Sequence, residues 1–140
     1  RRAENTYDAA RLVFHSRRKA GPPPAEMNER IGTAIFDDLE RDPLVRGLLD
    51  ESRAVLVIGG GDWTSEEIEW ATERGLGVVP LAVAGGAARQ YWQDRRTSPP
   101  YIGGRQTDPR IWERLGDDDC DVAARAAAGL LAQAMYDTEP

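Results

Sequence analysis

The sequence predicts an α/β domain built on a parallel sheet, and three observations carry that expectation. Two apolar runs, "AVLVIGG" from Ala54 and "LGVVPLAVA" from Leu76, are rich in β-branched residues and do not alternate with polar ones, as strands buried on both faces do. Between them, Thr64 to Arg74 supplies a helix that Gly75 ends. Strand, helix, strand and helix in that order make parallel strands joined by right-handed crossovers.

The other elements follow in chain order. A short β-like run, Leu12 to His15, precedes a polar, proline-broken loop, "RRKAGPPP". From Ala25 the apolar positions Met27, Ile31, Ala34, Ile35 and Leu39 recur at helical spacing and predict a helix ending near Arg41-Asp42-Pro43. A second short helix, Pro43 to Leu49, has proline in its first turn, where a missing N–H leaves nothing unsatisfied. After the strand from Leu76, Gly85-Gly86 leads into a helix from Ala87 to about Arg95. "RRTSPPYIGGRQTDP" is then a turn-rich excursion of the length seen in functional loops. A short helix from Asp108 to Leu115 and an alanine-rich one from Asp119 to Tyr136 close the chain. The small residues of the last helix permit close packing, in the core or at a dimer seam. The usual first strand with its own glycine turn is not visible, which leads us to expect an N-terminal truncation or a sheet completed in another way.

At 140 residues the chain fits one domain, 1–140, with a core that needs no disulfide or metal. With 24 acidic and 18 basic side chains the formal charge is -6, so attraction to nucleic acid has no general electrostatic support, since nonspecific affinity comes from neutralising phosphates with Lys and Arg. Arg17-Arg18-Lys19 and Arg95-Arg96 are local clusters that read as solvated loop charges or as holders of one small anion. No run of about 18 apolar residues spans a membrane. The N-terminus has no signal-peptide core and Cys120 is the lone cysteine, so the expected compartment is the cytoplasm. Arg1 stands where an initiator Met is expected, and the chain reads as a fragment, a processed product or an excised domain.

The chemistry concentrates in "VLVIGGGDWTSEE", Val55 to Glu67. Gly59-Gly60-Gly61 falls at the carboxyl end of a predicted strand, where open parallel sheets bind ligands. Glycines let the backbone approach an oxygen closely, and the first N–H groups of the following helix attract phosphate. Gly85-Gly86 offers the same arrangement at the next strand end. Thr64-Ser65-Glu66-Glu67 also has the spacing of a capping box, so Glu67 is either a cap or a ligand group. There is no GxGxxG and no Walker lysine, so neither a dinucleotide fingerprint nor an NTPase P-loop is present.

The stretches "VIGGGDWTSEEIEWA" and "GVVPLAVAGGAARQYW" together resemble the SLOG superfamily, which includes LOG-type phosphoribohydrolases and non-catalytic nucleotide sensors. The LOG pattern PGGxGTxxE falls on Gly59 through Glu67, and Met27-Asn28-Glu29-Arg30 is similar to that family's MxxRK. The resemblance covers roughly Ala25 to Trp92. It implies a Rossmann-like three-layer fold, with Arg30 and Glu67 as the catalytic pair if the chain is an enzyme. Gly59 replaces the proline, Ile31 the lysine and Trp63 the glycine of the LOG patterns. "GGAARQYW" looks more like the branch found beside TIR or sirtuin-like effectors in bacterial antiphage systems, called STALD. That branch implies a sensor of NAD-derived nucleotides, such as ADP-ribose or its cyclic isomers.

Other residues invite competing readings. His15, the only histidine, rules out a His-based zinc site or a triad with a second histidine and reads as a strand residue. Cys120 sits in "GDDDCD", an acidic setting unsuited to a nucleophile. Asp117-Asp118-Asp119 reads as an acidic helix cap in preference to a metal site. Tyr91, Trp92, Tyr101 and Trp112 stack on a base, are buried or form a subunit interface.

The expected function is therefore nucleotide sensing, with regulation of an effector lying outside this chain. The expected ligand-binding set is Gly59, Gly60, Gly61, Trp63, Thr64, Glu67, Arg30, Gly85 and Gly86, with no metal and no cofactor. The expected partners are a small nucleotide and further copies of the chain, with no membrane and no nucleic acid. The alternatives are a LOG-like nucleoside 5'-monophosphate phosphoribohydrolase and an oligomerisation module with a degenerate pocket.

Overall fold

The computed structural model describes residues 13–17, 33–37 and 40–135, the first two stretches as backbone. The chain divides into two units, Arg1–Arg46 and Gly47–Pro140. In the first, β1 (Val13–Arg17) and β2 (Thr33–Asp37) pair in parallel, with Val13 opposite Thr33 and Arg17 opposite Asp37. His15 thus lies in a strand, as expected.

β2 corrects the helix predicted from Ala25. Met27, Ile31, Ala34, Ile35 and Leu39 satisfy a helical period, but Thr33-Ala34-Ile35-Phe36 is equally a short apolar run after Gly32. Periodicity alone cannot separate those readings, and a parallel partner settles the choice. Residues 25–32, 38 and 39 of that predicted helix lie outside the described residues. Helix α1 (Arg41–Asp50) follows, with Asp42 and Pro43 in its first turn.

In the second unit, β3 (Ala54–Ile58) and β4 (Gly77–Leu81) pair in parallel, joined by helix α2 (Asp62–Glu73). Gly75, at φ 71°, turns the chain out of α2. A 3₁₀ turn, Ala82–Ala84, separates β4 from helix α3 (Gly86–Asp94). The long excursion contains a hairpin, β5 (Tyr101–Ile102) with β6 (Arg105–Gln106). Gly103 and Gly104 both have positive φ, as a two-residue hairpin loop requires. Helices α4 (Pro109–Arg114) and α5 (Cys120–Met135) complete the unit.

Strand alternation sorts the helices into layers. Ala54 and Val79 share a face with Leu81 and pack with Ala126, Ala127, Leu130 and Ala134 of α5. Val57 and Val78 are buried on the other face, and α2 and α3 touch both strands and each other. Helices therefore flank parallel strands in an α/β, Rossmann-like arrangement.

β4 is buried on both faces, as its composition predicts. β3 is not: Leu56 and Ile58 are 42% and 61% exposed, which corrects the expectation for that strand. Apolar content alone records no difference between a strand under a full helical layer and one partly covered. Pro80 fits its position in β4 because the N–H of Gly77 donates to Arg53 on the β3 side. The residues at odd steps from Gly77, Val78 and Pro80, face the other way, where no ladder bond is lost.

The core is closed by two indoles. Trp92 of α3 donates from Nε1 to the Trp112 carbonyl at 2.7 Å, and Trp112 of α4 donates back to the Trp92 carbonyl at 3.2 Å. Both are almost fully buried. Each polar edge is thus satisfied by the other residue's backbone while the rings fill the core. Tyr91 meets Trp112 edge to face at 6.2 Å, whereas Tyr101 is exposed. Burial wins over base stacking for Trp92 and Trp112. Arg95 lies over the Tyr91 ring, and Arg96 lies over Trp92 while pairing with Glu113.

The acidic cap expected before α5 is present, and a second cap, not read from the sequence, precedes α4. Asp119 caps α5, its Oδ1 accepting from the Asp121 N–H at 2.9 Å. Asp108 caps α4 by accepting from the Arg110 N–H at 2.8 Å. The Arg110 backbone bond, then its side chain, hold the Asp108 carboxyl below the ordinary carboxylate value.

Replacing Trp112 with alanine should cost about 3–5 kcal/mol in urea unfolding. Trp92→Phe, which keeps a ring but removes one donor, should cost about 1–3 kcal/mol. Losses under 1 kcal/mol for both would contradict the paired-indole account. The Asp108 cap should stabilise at pH above the unfolded carboxylate value and fade as pH falls through the lower folded value. Asp108→Asn, which keeps a capping oxygen, should flatten that part of the acid unfolding curve measured by circular dichroism.

Candidate functional site

The two glycine turns form one interlocked unit. Gly59 and Gly60 leave β3 with φ of 63° and 96°, in the region that favours glycine. Their carbonyls turn toward α3, where the Gly60 oxygen accepts from the Ala87 N–H at 2.9 Å and the Gly59 oxygen from the Ala88 N–H at 3.0 Å. Two of the first amides of α3, which no intrahelical carbonyl can reach, are therefore capped by the turn before α2. This corrects the reading of Gly85-Gly86 as a second, separate phosphate cradle. A Cβ on Gly86 would lie 2.5 Å from the Gly60 oxygen, so the bare backbone at Gly86 makes the approach possible.

That interlock sets the direction of the opposite groups. A peptide is planar and trans, so its N–H points away from its carbonyl. With the Gly59 and Gly60 oxygens held by α3, the N–H groups of Gly60 and Gly61 aim away from α3. Just beyond them α2 begins, with Gly61 as its N-cap and no side chain capping it. Its first intrahelical bond runs from the Ser65 N–H to the Gly61 carbonyl at 3.0 Å.

The predicted capping box is corrected here as well. Helix α2 starts at Asp62, two residues before Thr64, so Thr64 stands inside the first turn. Its side chain folds back against Gly60 and occupies the space a Cβ there would need. Gly61 takes the cap position with φ -122° and ψ -148°, directly after Gly59 and Gly60, which turn the chain at positive φ.

Trp63, Glu67 and Trp70 follow at i, i+4 and i+7 and share one flank of α2. The Trp63 residue is 67% exposed, so its indole does not plug the turn. Glu67 is half-buried and Trp70 buried. The adjoining flank faces α3 across a groove of about 340 Å³, lined by Asp62, Glu66, Glu69 and Asp94 with Gln90 and Tyr91. Burial raises the Tyr91 phenol above its ordinary value, with Arg95 acting against that. Four carboxylates make this side unfavourable for an anion, which leaves the Trp63 and Glu67 flank as the approach for phosphate.

The structure therefore gathers Gly59, Gly60, Gly61, Thr64 and Gly86 at one turn, with Trp63 and Glu67 along the adjoining helix and Gly85 at the start of α3. Arg30 lies outside the described residues. Sequence reasoning missed Ala87 and Ala88, whose role is carried by backbone amides, and missed the acidic groove, whose members come from two helices. The four acids at Asp62, Glu66, Glu69 and Asp94 were the available signal. Among the described residues no group of three metal-ligating side chains converges.

Gly86→Ala should destabilise by about 2–3 kcal/mol, since it adds strain at positive φ to the overlap with Gly60. Gly61→Ala, where nothing lies within 4 Å of the added atom, should cost under about 1 kcal/mol. Chemical unfolding of the two variants checks this contrast, and equal losses would contradict the interlock.

No protein-family model matches the chain, and no solved structure matches it. It is 33% identical over 111 residues to proteins named shikimate kinase from Brucella canis, Brucella suis and Brucella abortus. The matched stretch is 78% of this chain and 53% of those proteins, so the chain spans about half the length of the curated relatives it matches.

Proposed function

We propose that this chain is a nucleotide-sensing module of the SLOG type that binds an NAD-derived ligand, ADP-ribose or a cyclic ADP-ribose, and regulates an antiphage effector in the bacterial cytoplasm. One observation carries the reading: the Gly59 and Gly60 carbonyls are held by α3, which turns the amides of Gly60 and Gly61 away from that helix, beside a helix start that no side chain caps. Phosphate accepts from Gly60, Gly61 and Thr64, where the helix dipole adds to the attraction. The exposed Trp63 indole supplies a stacking face for the base. Glu67, one turn along the same flank, accepts from ribose hydroxyls, and Arg30 adds charge toward the phosphates.

Phosphoryl transfer, which the name of the Brucella relatives denotes, finds no support in these residues. The chain has no GxxxxGK[ST], and its only lysine, Lys19, follows no glycine loop. Among the described residues no helix is long and apolar enough to cross a membrane.

Titration calorimetry with ADP-ribose, cyclic ADP-ribose isomers, NAD and AMP tests the proposal. At least one NAD-derived ligand should bind, and Trp63→Ala should weaken it by about 1–3 kcal/mol through lost stacking. AMP should yield no free adenine. Adenine release that disappears in Glu67→Ala would replace the sensor by a phosphoribohydrolase, and silence across all four ligands would leave an assembly module alone.

A further inference from the structure

We propose that the glycine turn selects its ligand by charge: it takes pyrophosphate diesters such as ADP-ribose and NAD, and rejects the same molecules carrying a further phosphomonoester. The inference rests on the nucleotide reading and narrows the ligand class of that same site. At the turn the positive charge comes from backbone, the amides of Gly60 and Gly61 and the partial charge of about half a unit at the start of α2. The side chains around it are acidic. Asp62 is the first residue of α2, and Glu67 stands on the Trp63 flank. The groove shared with α3 opens beside the turn: Asp62 follows Gly61, Ala87 donates to the Gly60 carbonyl, and both line it. Glu66, Glu69 and Asp94 continue the acidic lining along the two helices. At 1.5 Å per residue, Glu66 and Glu69 lie about 6 and about 10 Å beyond Asp62 along the axis, comparable to a Debye length.

Asp62, Glu67 and Glu69 make no hydrogen bond or ion pair among the described residues, and Asp94 accepts from the neutral Gln90 amide at 2.9 Å. The arginines of this region are drawn to rings: Arg89 lies 5.9 Å from the Trp92 centroid and Arg95 5.2 Å from that of Tyr91. Arg95 follows the far end of α3, about 13 Å along the axis from Gly86. The nucleotide reading supplies the pyrophosphate with one cation, Arg30. Each phosphorus of a pyrophosphate diester carries a single negative charge, which backbone amides and one guanidinium can hold. A phosphomonoester adds about 1.5 to 2 negative charges at pH 7, and a site built for one meets it with Lys or Arg. Here the carboxylates bordering the turn repel that added charge across partly screened solvent. Glu67 strengthens the filter, because a carboxylate that accepts from a ribose hydroxyl meets a phosphate at that position with like charge.

Titration calorimetry on the full chain with two matched pairs, ADP-ribose against ADP-ribose 2'-phosphate and NAD against NADP, tests the proposal. At about 50 mM salt the 2'-phosphorylated member of a binding pair should bind about tenfold more weakly or worse. The gap should narrow several-fold at about 300 mM, where the charges are screened. Glu69→Gln with Asp94→Asn changes two acids that are assigned no ligand contact, and the new Asn can still accept from Gln90. It should raise affinity for the 2'-phosphate form more than for its partner, with an unchanged circular dichroism spectrum. Equal affinities within a pair would overturn the charge filter and leave the nucleotide reading in place. A gap indifferent to both salt and the neutralised acids would also overturn it, and would mark exclusion by shape. If no member of either pair binds, the nucleotide reading falls and the inference with it.

Discussion

Two backbone hydrogen bonds, from Ala87 to the Gly60 carbonyl and from Ala88 to the Gly59 carbonyl, fix the geometry on which the rest of the second unit depends. They join the end of β3 to the start of α3, although a whole crossover, α2 and β4, lies between them in sequence. They also turn the N–H groups of the same two peptides, those of Gly60 and Gly61, away from α3. Both consequences come from the rigidity of the trans peptide. The glycines matter here for what they lack: a side chain at Gly86 or Gly60 would occupy space already filled by backbone or by Thr64.

The same tie connects the turn to the core. α3 carries Trp92, and Trp92 exchanges hydrogen bonds with Trp112 of α4. Gly116, just after α4, leaves room for the Trp92 ring. The turn, the helix and the indole pair thus form one continuous path of close contacts across the unit. Charge is distributed unevenly along it. Carboxylates of Asp62, Glu66, Glu69 and Asp94 gather at the α2 and α3 groove.

Much of the fold was legible in the sequence. The buried run at Val78 to Pro80, the glycine ending α2, the proline-led α4 and the alanine-rich α5 announced themselves by composition and turn chemistry. β2 was hidden because Thr33 to Phe36 is too short for periodicity to distinguish strand from helix. The start of α2 was displaced because Thr64 and Glu67 have capping-box spacing, whereas the turn at Gly59 and Gly60 is complete early enough for the helix to begin at Asp62 with Gly61 as its cap. At the candidate site, the glycines and the exposed Trp63 were readable as residue types. The interlock was not, since hydrogen bonds between backbone groups of Gly59, Gly60, Ala87 and Ala88 leave no mark in side-chain identity.

Amide hydrogen exchange read residue by residue reports directly on that arrangement. In the free protein the account predicts slow exchange at Ala87 and Ala88, whose N–H groups are held by the turn, and fast exchange at Gly60 and Gly61, whose N–H groups face outward. Addition of ADP-ribose should then slow Gly60 and Gly61 while leaving Ala87 and Ala88 protected. Rapid exchange at Ala87 and Ala88, with protection of Gly60 and Gly61 in the absence of ligand, would contradict the account.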